Sequence, residues 1–257
     1  MLKRNRLLLR IWLVTLGSAC LSAAAAAEIN LTSAALIDIK TLIPDVVVEM
    51  RYAGDHNFMG NPVTGYAATK CLLTTAAAEQ LAKVQQDLKA FGLALKLYDC
   101  YRPQRAVDDF LRWAAVSDDT RMQAEFYPQR DKQRLFADGY IAAKSSHSRG
   151  STVDITLIPW PAPEQAVYKP GQRLQACDRP VAERFQDNSL DMGTGFDCFD
   201  QRANTLNSQI GLAQRINRLL LKTLMERHGF KNYALEWWHY TLVNEPFPDS
   251  YFDFAIE

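Results

Sequence analysis

Residues 145–158 read Ser145-Ser146-His147-Ser148-Arg149-Gly150-Ser151-Thr152-Val153-Asp154-Ile155-Thr156-Leu157-Ile158. In the second half of this stretch apolar and polar side chains alternate, which predicts a β-strand over residues 153–158. Because successive side chains of a strand point to opposite faces, Asp154 falls on the polar face, opposite Val153 and Ile155. An acid pointing out of a strand, preceded by His147, predicts a polar site at this strand.

A second histidine with a nearby acid lies in Glu236-Trp237-Trp238-His239. Two imidazoles and one carboxylate form a recurring ligand set for catalytic zinc, with the fourth position left open. His147, Asp154 and His239 are therefore predicted to hold one zinc ion per chain, and Glu236 to act as general base. Each fragment alone also fits another role, since a lone histidine is common in a core and Glu236 could form a salt bridge.

The backbone around Glu236 decides whether this prediction is geometrically sound. The aromatic-rich segment 236–243 predicts a strand, and residues three apart in a regular strand face opposite sides. Glu236 and His239 can therefore reach one metal only if the strand is bulged or begins after Glu236.

The rest of the sequence predicts a mixed fold. Further strands are expected at 46–52 and 93–99, and helices at 74–91, from Pro103 onward, and at 208–228. The order lacks a regular strand–helix alternation, so the fold class is α+β. The proline-rich segment 159–191 predicts a long surface loop. His228 is expected to interact with the end of its helix, and His56 receives no role.

The N-terminus is typical of an export signal. A basic start, a short apolar run at 7–16 and small residues at 18–27 predict cleavage after residue 27 and one domain over 28–257 in the periplasm. An uncleaved anchor is the alternative, but the apolar run is short for a membrane span. Lipid attachment at Cys20 is less favoured, because Gly17-Ser18-Ala19 lacks a large aliphatic residue.

Charge and cysteines limit the partners and the compartment. Residues 1–27 carry four basic and no acidic side chains, which leaves 25 basic against 29 acidic residues and a net charge of −4 in the remainder. This argues against nucleic acid or an anionic membrane as partner. The cysteines of residues 28–257 are Cys71, Cys100, Cys177 and Cys198, which allow three ways of forming two disulfides. The preferred one joins 71 to 100 and 177 to 198, because it closes the shortest loops.

Several stretches together resemble the D-alanyl-D-alanine dipeptidases of the VanX type. They are Tyr98-Asp99-Cys100-Tyr101-Arg102-Pro103, Ser145 to Gly150 with Asp154, Met192-Gly193 with Phe196-Asp197, Glu236-Trp237-Trp238-His239-Tyr240, and Ser250-Tyr251-Phe252-Asp253-Phe254. They occur in order along nearly all of residues 28–257.

The resemblance implies a single domain with an antiparallel sheet and packed helices, on the D-Ala-D-Ala peptidase or hedgehog-like scaffold. It implies zinc at the three ligands named above, with Glu236 as base and then acid. It also implies that Arg102 stabilises the tetrahedral intermediate, and that Ser145 and Asp197 contact the carboxylate and the ammonium of a small dipeptide substrate. Without it, Arg102 could simply cap carboxylates of the preceding strand.

Two other functions remain open from the sequence. One is a zinc D,D-carboxypeptidase acting on peptidoglycan stem peptides, and the other is a non-catalytic zinc domain that recognises cell-wall peptides. Glu236 and Arg102 favour an enzyme, because a binding domain needs neither. Export favours salvage of D-alanine from wall turnover, and the segment 159–191, which departs from the family pattern, could reshape the substrate cleft.

Overall fold

The computed structural model describes residues 35–257, so the predicted signal at 1–27 and Cys20 lie outside the described residues. Its strands are β1 (Leu36–Asp38), β2 (Val47–Val48), β3 (Leu72–Thr74), β4 (Leu93–Asp99), β5 (Thr152–Pro159), β6 (Phe230–Asn232) and β7 (His239–Leu242). Its helices are α1 (Thr75–Lys89), α2 (Gln104–Ala115), α3 (Gln123–Phe126) and α4 (Leu212–Arg227). Strands and helices are mixed as predicted, and the described residues form one compact unit. No helix among them is long and apolar enough to cross a membrane.

The main sheet has five strands in the order β2-β4-β5-β7-β6. Three of its four pairings are antiparallel, as the resemblance implies, and the exception is β2, which runs parallel to β4. The chain leaves β2 and passes through β3 and α1 before it enters β4, and such a crossover permits a parallel pairing. A separate pair, β1 with β3, lies outside this sheet.

Alternation along β4 and β5 determines which side chains enter the core. Leu95 and Leu97 of β4 and Ile155 of β5 pack with α1 and α4 in one apolar cluster, through residues such as Leu81 of α1. Burial of several such side chains, worth about 1.5–3 kcal/mol each, holds the helices on the sheet. The polar side chains at the alternate positions of these strands are thereby kept out of that cluster.

The predicted strand over 46–52 is wrong beyond Val48. The chain instead makes a short 3-10 turn at Arg51–Ala53, which buries Tyr52 in a second, aromatic cluster around Phe110 of α2. The helix predicted over 208–228 begins only at Leu212. The strands β1, β3 and β6 were not predicted, because three residues are too few to establish a period.

Both disulfides preferred from the sequence are present, Cys71–Cys100 and Cys177–Cys198. The predicted loop after β5 also exists, with a single 3-10 turn at Val181–Glu183. A hydrogen bond from the Gly195 backbone N–H to the Cys177 carbonyl anchors this loop to the chain that follows it.

Candidate active site

The strand register aligns three side chains from three parts of the chain. Asp154 on β5 lies opposite Asp99 on β4 and opposite His239 on β7. The ladder between β4 and β5 shifts between Leu97 and Asp99, so Asp99 sits at a bulge beside the site. The predicted partners Asp154 and His239 therefore meet through sheet pairing.

His147 is supplied by a single 3-10 turn, Ser146–Arg149. The Ser145 hydroxyl accepts a hydrogen bond from the His147 backbone N–H at 3.2 Å and so caps the turn. Gly150 ends it with φ 76°, where a β-carbon would lie 2.6 Å from a side-chain carbon of Leu36. Only glycine fits both the backbone conformation and the space at this position.

Three potential ligand atoms face one another. Asp154 Oδ1 lies 3.3 Å from His147 Nε2 and 3.2 Å from His239 Nδ1, and the two nitrogens are 3.3 Å apart. His147 Nδ1 donates to the Cys100 carbonyl at 2.7 Å, so Nε2 of the neutral ring carries a lone pair. Asp154 Oδ1 is buried and has no hydrogen-bond donor among the described residues. A buried carboxylate oxygen with two imidazole nitrogens close to it is a typical set of zinc ligands. These three residues therefore fit the predicted metal.

The protonation of this cluster suits cation binding. Burial alone would raise the pKa of Asp154, but the neighbouring imidazoles of His147 and His239 lower it below its ordinary value. Burial lowers the pKa of His239, which favours the neutral imidazole that binds metals. Ser146 Oγ lies 3.2 Å from His239 Nε2, which leaves Nδ1 directed at Asp154.

Glu236 lies beside these ligand atoms because β7 begins only at His239, so that Glu236 precedes the strand and is not part of it. A turn closed by the Glu236 N–H on the Tyr233 carbonyl precedes the strand. Glu236 Oε2 lies 3.5 Å from His239 Nδ1. Burial raises the pKa of Glu236 well above its ordinary range, and the charges of Asp154 and Asp197 raise it further. A carboxylate that binds a proton this readily is suited to proton transfer.

Arg102 follows β4 and is held by Asp99 of that strand, which was not among the predicted site residues. Asp99 Oδ2 accepts a hydrogen bond from Arg102 Nε at 2.9 Å and lies at ion-pair distance, also 2.9 Å, from Arg102 Nη2. Arg102 Nη2 is also 3.6 Å from Asp154 Oδ2, and its guanidinium lies over the rings of Tyr52 and Phe110. Arg102 therefore does cap a carboxylate of the preceding strand. The same contact orients its guanidinium beside Asp154.

Asp197 lines the same cavity beside Tyr52. Its backbone has φ 55°, the left-handed region that is uncommon for a non-glycine residue. Its Oδ2 accepts a hydrogen bond from the Tyr52 hydroxyl at 2.8 Å. Burial raises the pKa of Asp197 to about 8, and the charge of Asp154 contributes to the rise.

One cavity of about 220 Å³ joins these side chains. Its lining includes all the residues predicted from sequence, namely Arg102, Ser145, His147, Asp154, Asp197, Glu236 and His239. Tyr52, Tyr233 and Lys144 also line it and were not predicted. The lone acid at the end of strand 93–99 was the only sequence signal that could have identified Asp99, and Tyr52 carried none.

A comparison with protein families matches residues 32–160 and 163–257 to the peptidase family described as D-Ala-D-Ala dipeptidase. The chain belongs to this family. Curated relatives named D-alanyl-D-alanine dipeptidase include a protein of Enterococcus faecalis, 39% identical over 81% of this chain and 91% of its own length. One of Streptomyces coelicolor is 38% identical over 85% and 96%. One of Escherichia coli is 31% identical over 80% and 84%.

Proposed function

We propose that this chain is a zinc-dependent dipeptidase that hydrolyses D-alanyl-D-alanine to two molecules of D-alanine. The observation that carries the proposal is the buried, donor-free Asp154 Oδ1 between two imidazole nitrogens, in the same cavity as Glu236 and Arg102. The names of the relatives support the choice of substrate.

His147, Asp154 and His239 would hold the zinc. When bound there, zinc would polarise the scissile carbonyl and make water a stronger acid. Glu236 Oε2 takes a proton from the attacking water and later delivers it to the nitrogen of the departing D-alanine. Its raised pKa supports this second step, because the protonated carboxyl must persist until the leaving amine is reached.

The remaining polar side chains bind and orient. The Arg102 guanidinium, held by Asp99, supplies fixed positive charge where the tetrahedral intermediate becomes negative. Asp197 faces the ammonium group of the substrate, and the Ser145 hydroxyl faces the carboxylate of the substrate. The cavity of about 220 Å³ is smaller than the range of about 300–1,000 Å³ that holds drug-sized ligands, which favours a dipeptide over a stem peptide.

The decisive experiment compares substrates and metal states of the purified protein. D-alanine release should be fast from D-alanyl-D-alanine and slow from a pentapeptide with the same C-terminal pair, and no L-alanine should be released from L-alanyl-L-alanine. A chelator should abolish the activity and zinc should restore it. Faster cleavage of the pentapeptide would indicate the carboxypeptidase instead, and zinc binding without hydrolysis would indicate the non-catalytic domain.

We further propose that the protein acts outside the inner membrane and salvages D-alanine from wall turnover. The two disulfides support this, because disulfides persist in oxidising compartments. N-terminal sequencing of the native protein should find a start near Glu28, and thiol titration of the denatured protein should find at most one free thiol. An intact Met1 with free thiols at all four paired positions would overturn the proposal.

A further inference from the structure

The Cys71–Cys100 disulfide joins the two chain segments that hold the turn carrying His147. On one side, the Cys100 carbonyl accepts the hydrogen bond from His147 Nδ1 at 2.7 Å. Two residues later, the Arg102 N–H donates to the His147 carbonyl. The position and the tautomer of this imidazole therefore depend on where the Cys100 backbone lies.

On the other side, β3 starts one residue after Cys71 and holds the end of the same turn. The Thr74 N–H donates to the Gly150 carbonyl at 2.8 Å, and the Thr74 and Ser151 hydroxyls are 2.7 Å apart. Within residues 35–257, β3 pairs as a strand only with β1 and not with the main sheet. The disulfide cross-links this separate strand to the end of β4, beside a hydrogen bond from the Tyr101 N–H to the Leu72 carbonyl at 2.9 Å, so it helps to fix both supports of the turn relative to each other.

The Cys177–Cys198 disulfide directly follows Asp197, which lines the cavity. Cys177 belongs to the loop after β5, and its N–H donates to the Glu125 carbonyl at 2.9 Å, while the Phe199 N–H donates to the Phe126 carbonyl at 2.8 Å. The disulfide thus links the two segments that dock on α3. A non-glycine residue keeps a left-handed backbone conformation, as Asp197 does, only where the surrounding structure imposes that conformation.

We propose that each disulfide positions one half of the active site: Cys71–Cys100 maintains zinc affinity through His147, and Cys177–Cys198 maintains substrate binding through Asp197. The inference rests on the proposed function. The two loops closed by the disulfides are similar, with sequence separations of 29 and 21 residues, so the loss of either should destabilise the whole protein to a similar extent. Each disulfide is therefore the matched control for the other.

The test compares the Cys71→Ala/Cys100→Ala and Cys177→Ala/Cys198→Ala proteins with the wild type, after circular dichroism has shown that both are folded. Alanine is used because a buried serine hydroxyl without a partner would add a cost of its own. Zinc affinity is measured by competition with a chromogenic chelator, and kcat and KM for D-alanyl-D-alanine at saturating zinc. Amide hydrogen exchange of the zinc-free proteins is followed at Thr74, Gly150, Gly195 and Phe199.

Loss of Cys71–Cys100 should weaken zinc binding by about 10- to 100-fold, the range found for partners that orient metal ligands. Its exchange should rise at Thr74 and Gly150, and excess zinc should restore much of its activity. Loss of Cys177–Cys198 should leave zinc affinity within about threefold but raise KM roughly tenfold, as expected for a lost charged contact. Its exchange should rise at Gly195 and Phe199, and excess zinc should not rescue it.

Equal effects of the two changes on zinc affinity and KM would overturn the inference, because they would show only general destabilisation. Unchanged zinc affinity without Cys71–Cys100 would also overturn it. Failure of the proposed function would look different: the wild type would bind no zinc or leave the dipeptide intact. The exchange measurement would then still report whether each disulfide holds its own half of the cavity. If one variant does not fold, the other is reduced and alkylated instead. It retains only the disulfide that the unfolded variant lacks, so its exchange and zinc affinity before and after reduction report the effect of that disulfide.

Discussion

Replacing Asp99 by asparagine removes the negative charge that holds Arg102 and leaves the shape of the side chain almost unchanged. Asp99 is fully buried, and its Oδ2 accepts a hydrogen bond from Arg102 Nε at 2.9 Å and lies 2.9 Å from Arg102 Nη2 in an ion pair. Its Oδ1 accepts one from the Tyr66 hydroxyl at 2.7 Å. An asparagine amide can still satisfy Tyr66 and accept from Arg102, so the substitution mainly tests the charge.

The expected loss of stability follows from these contacts. Removing one partner of a buried ion pair costs about 3–5 kcal/mol, because the remaining charge lacks compensation. Arg102 keeps a second counter-charge in Asp154, 3.6 Å away, which places the Asp99→Asn protein near the lower end, at about 3 kcal/mol. Urea unfolding followed by circular dichroism measures this difference, and an unchanged m-value would confirm that both proteins unfold in the same way.

The Asp99→Asn substitution should affect catalysis less than removal of Arg102 itself would. Loss of one oxyanion donor costs about 10²- to 10³-fold in kcat. Arg102 remains packed over Tyr52 and Phe110 in the Asp99→Asn protein, so it loses only part of its orientation. We expect kcat for D-alanyl-D-alanine to fall about 10- to 100-fold and KM to change less than about threefold.

Asp187→Asn is the matched control. Asp187 joins Arg51, Lys96 and Tyr98 in another buried network, and none of these residues lines the cavity. It should lose comparable stability while keeping kcat. The reasoning is refuted if the Asp99→Asn protein loses stability but keeps its full kcat, or if Asp187→Asn lowers kcat equally.

The remaining predictions concern four other side chains. Glu236→Gln should keep zinc bound but lower kcat by several orders of magnitude, whereas His239→Ala should lose zinc; metal analysis beside kinetics checks both, and a metal-free Glu236→Gln protein would reverse the two assignments. Arg102→Lys should lower kcat more than it raises KM, because lysine keeps the charge but not the planar fork; steady-state kinetics decide, and a pure KM effect would make Arg102 a substrate-carboxylate binder. His56 lies buried between Arg51 and Glu125, and burial lowers its pKa, with the Arg51 charge adding and Glu125 opposing. The pKa of His56 is therefore lower in the folded protein than in the unfolded protein, where it is about 6.5. As the pH falls below about 6.5, the unfolded protein binds the proton more readily, so the free energy of unfolding decreases by at most about 1.4 kcal/mol per pH unit. Urea unfolding of the zinc-free protein between pH 7.5 and 5 should show a steeper loss for wild type than for His56→Gln, and equal slopes would contradict the prediction.

Most elements that place the site could be predicted because their signals are local. Strand β4 has the predicted bounds, and β5 differs by one residue at each end, since alternation over several residues specifies a strand. Short strands could not be predicted, and neither could the parallel pairing of β2, because both depend on partners that are distant in the sequence. The 3-10 turn at Arg51–Ala53 formed where a strand was expected, since burying Tyr52 against Phe110 outweighed local strand preference.

The sequence by itself determined the chemical groups of the candidate site. His147 with Asp154, and Glu236 with His239, lie close together along the chain, and their side-chain types already indicate metal binding and proton transfer. Only the tertiary structure decided how these groups meet. The register of β4, β5 and β7 aligns Asp99, Asp154 and His239, and the late start of β7 brings Glu236 beside His239. Burial in the folded protein also raised the pKa of Asp197 to about 8. Burial and long-range pairing exist only after the chain has folded, and no local pattern encodes them.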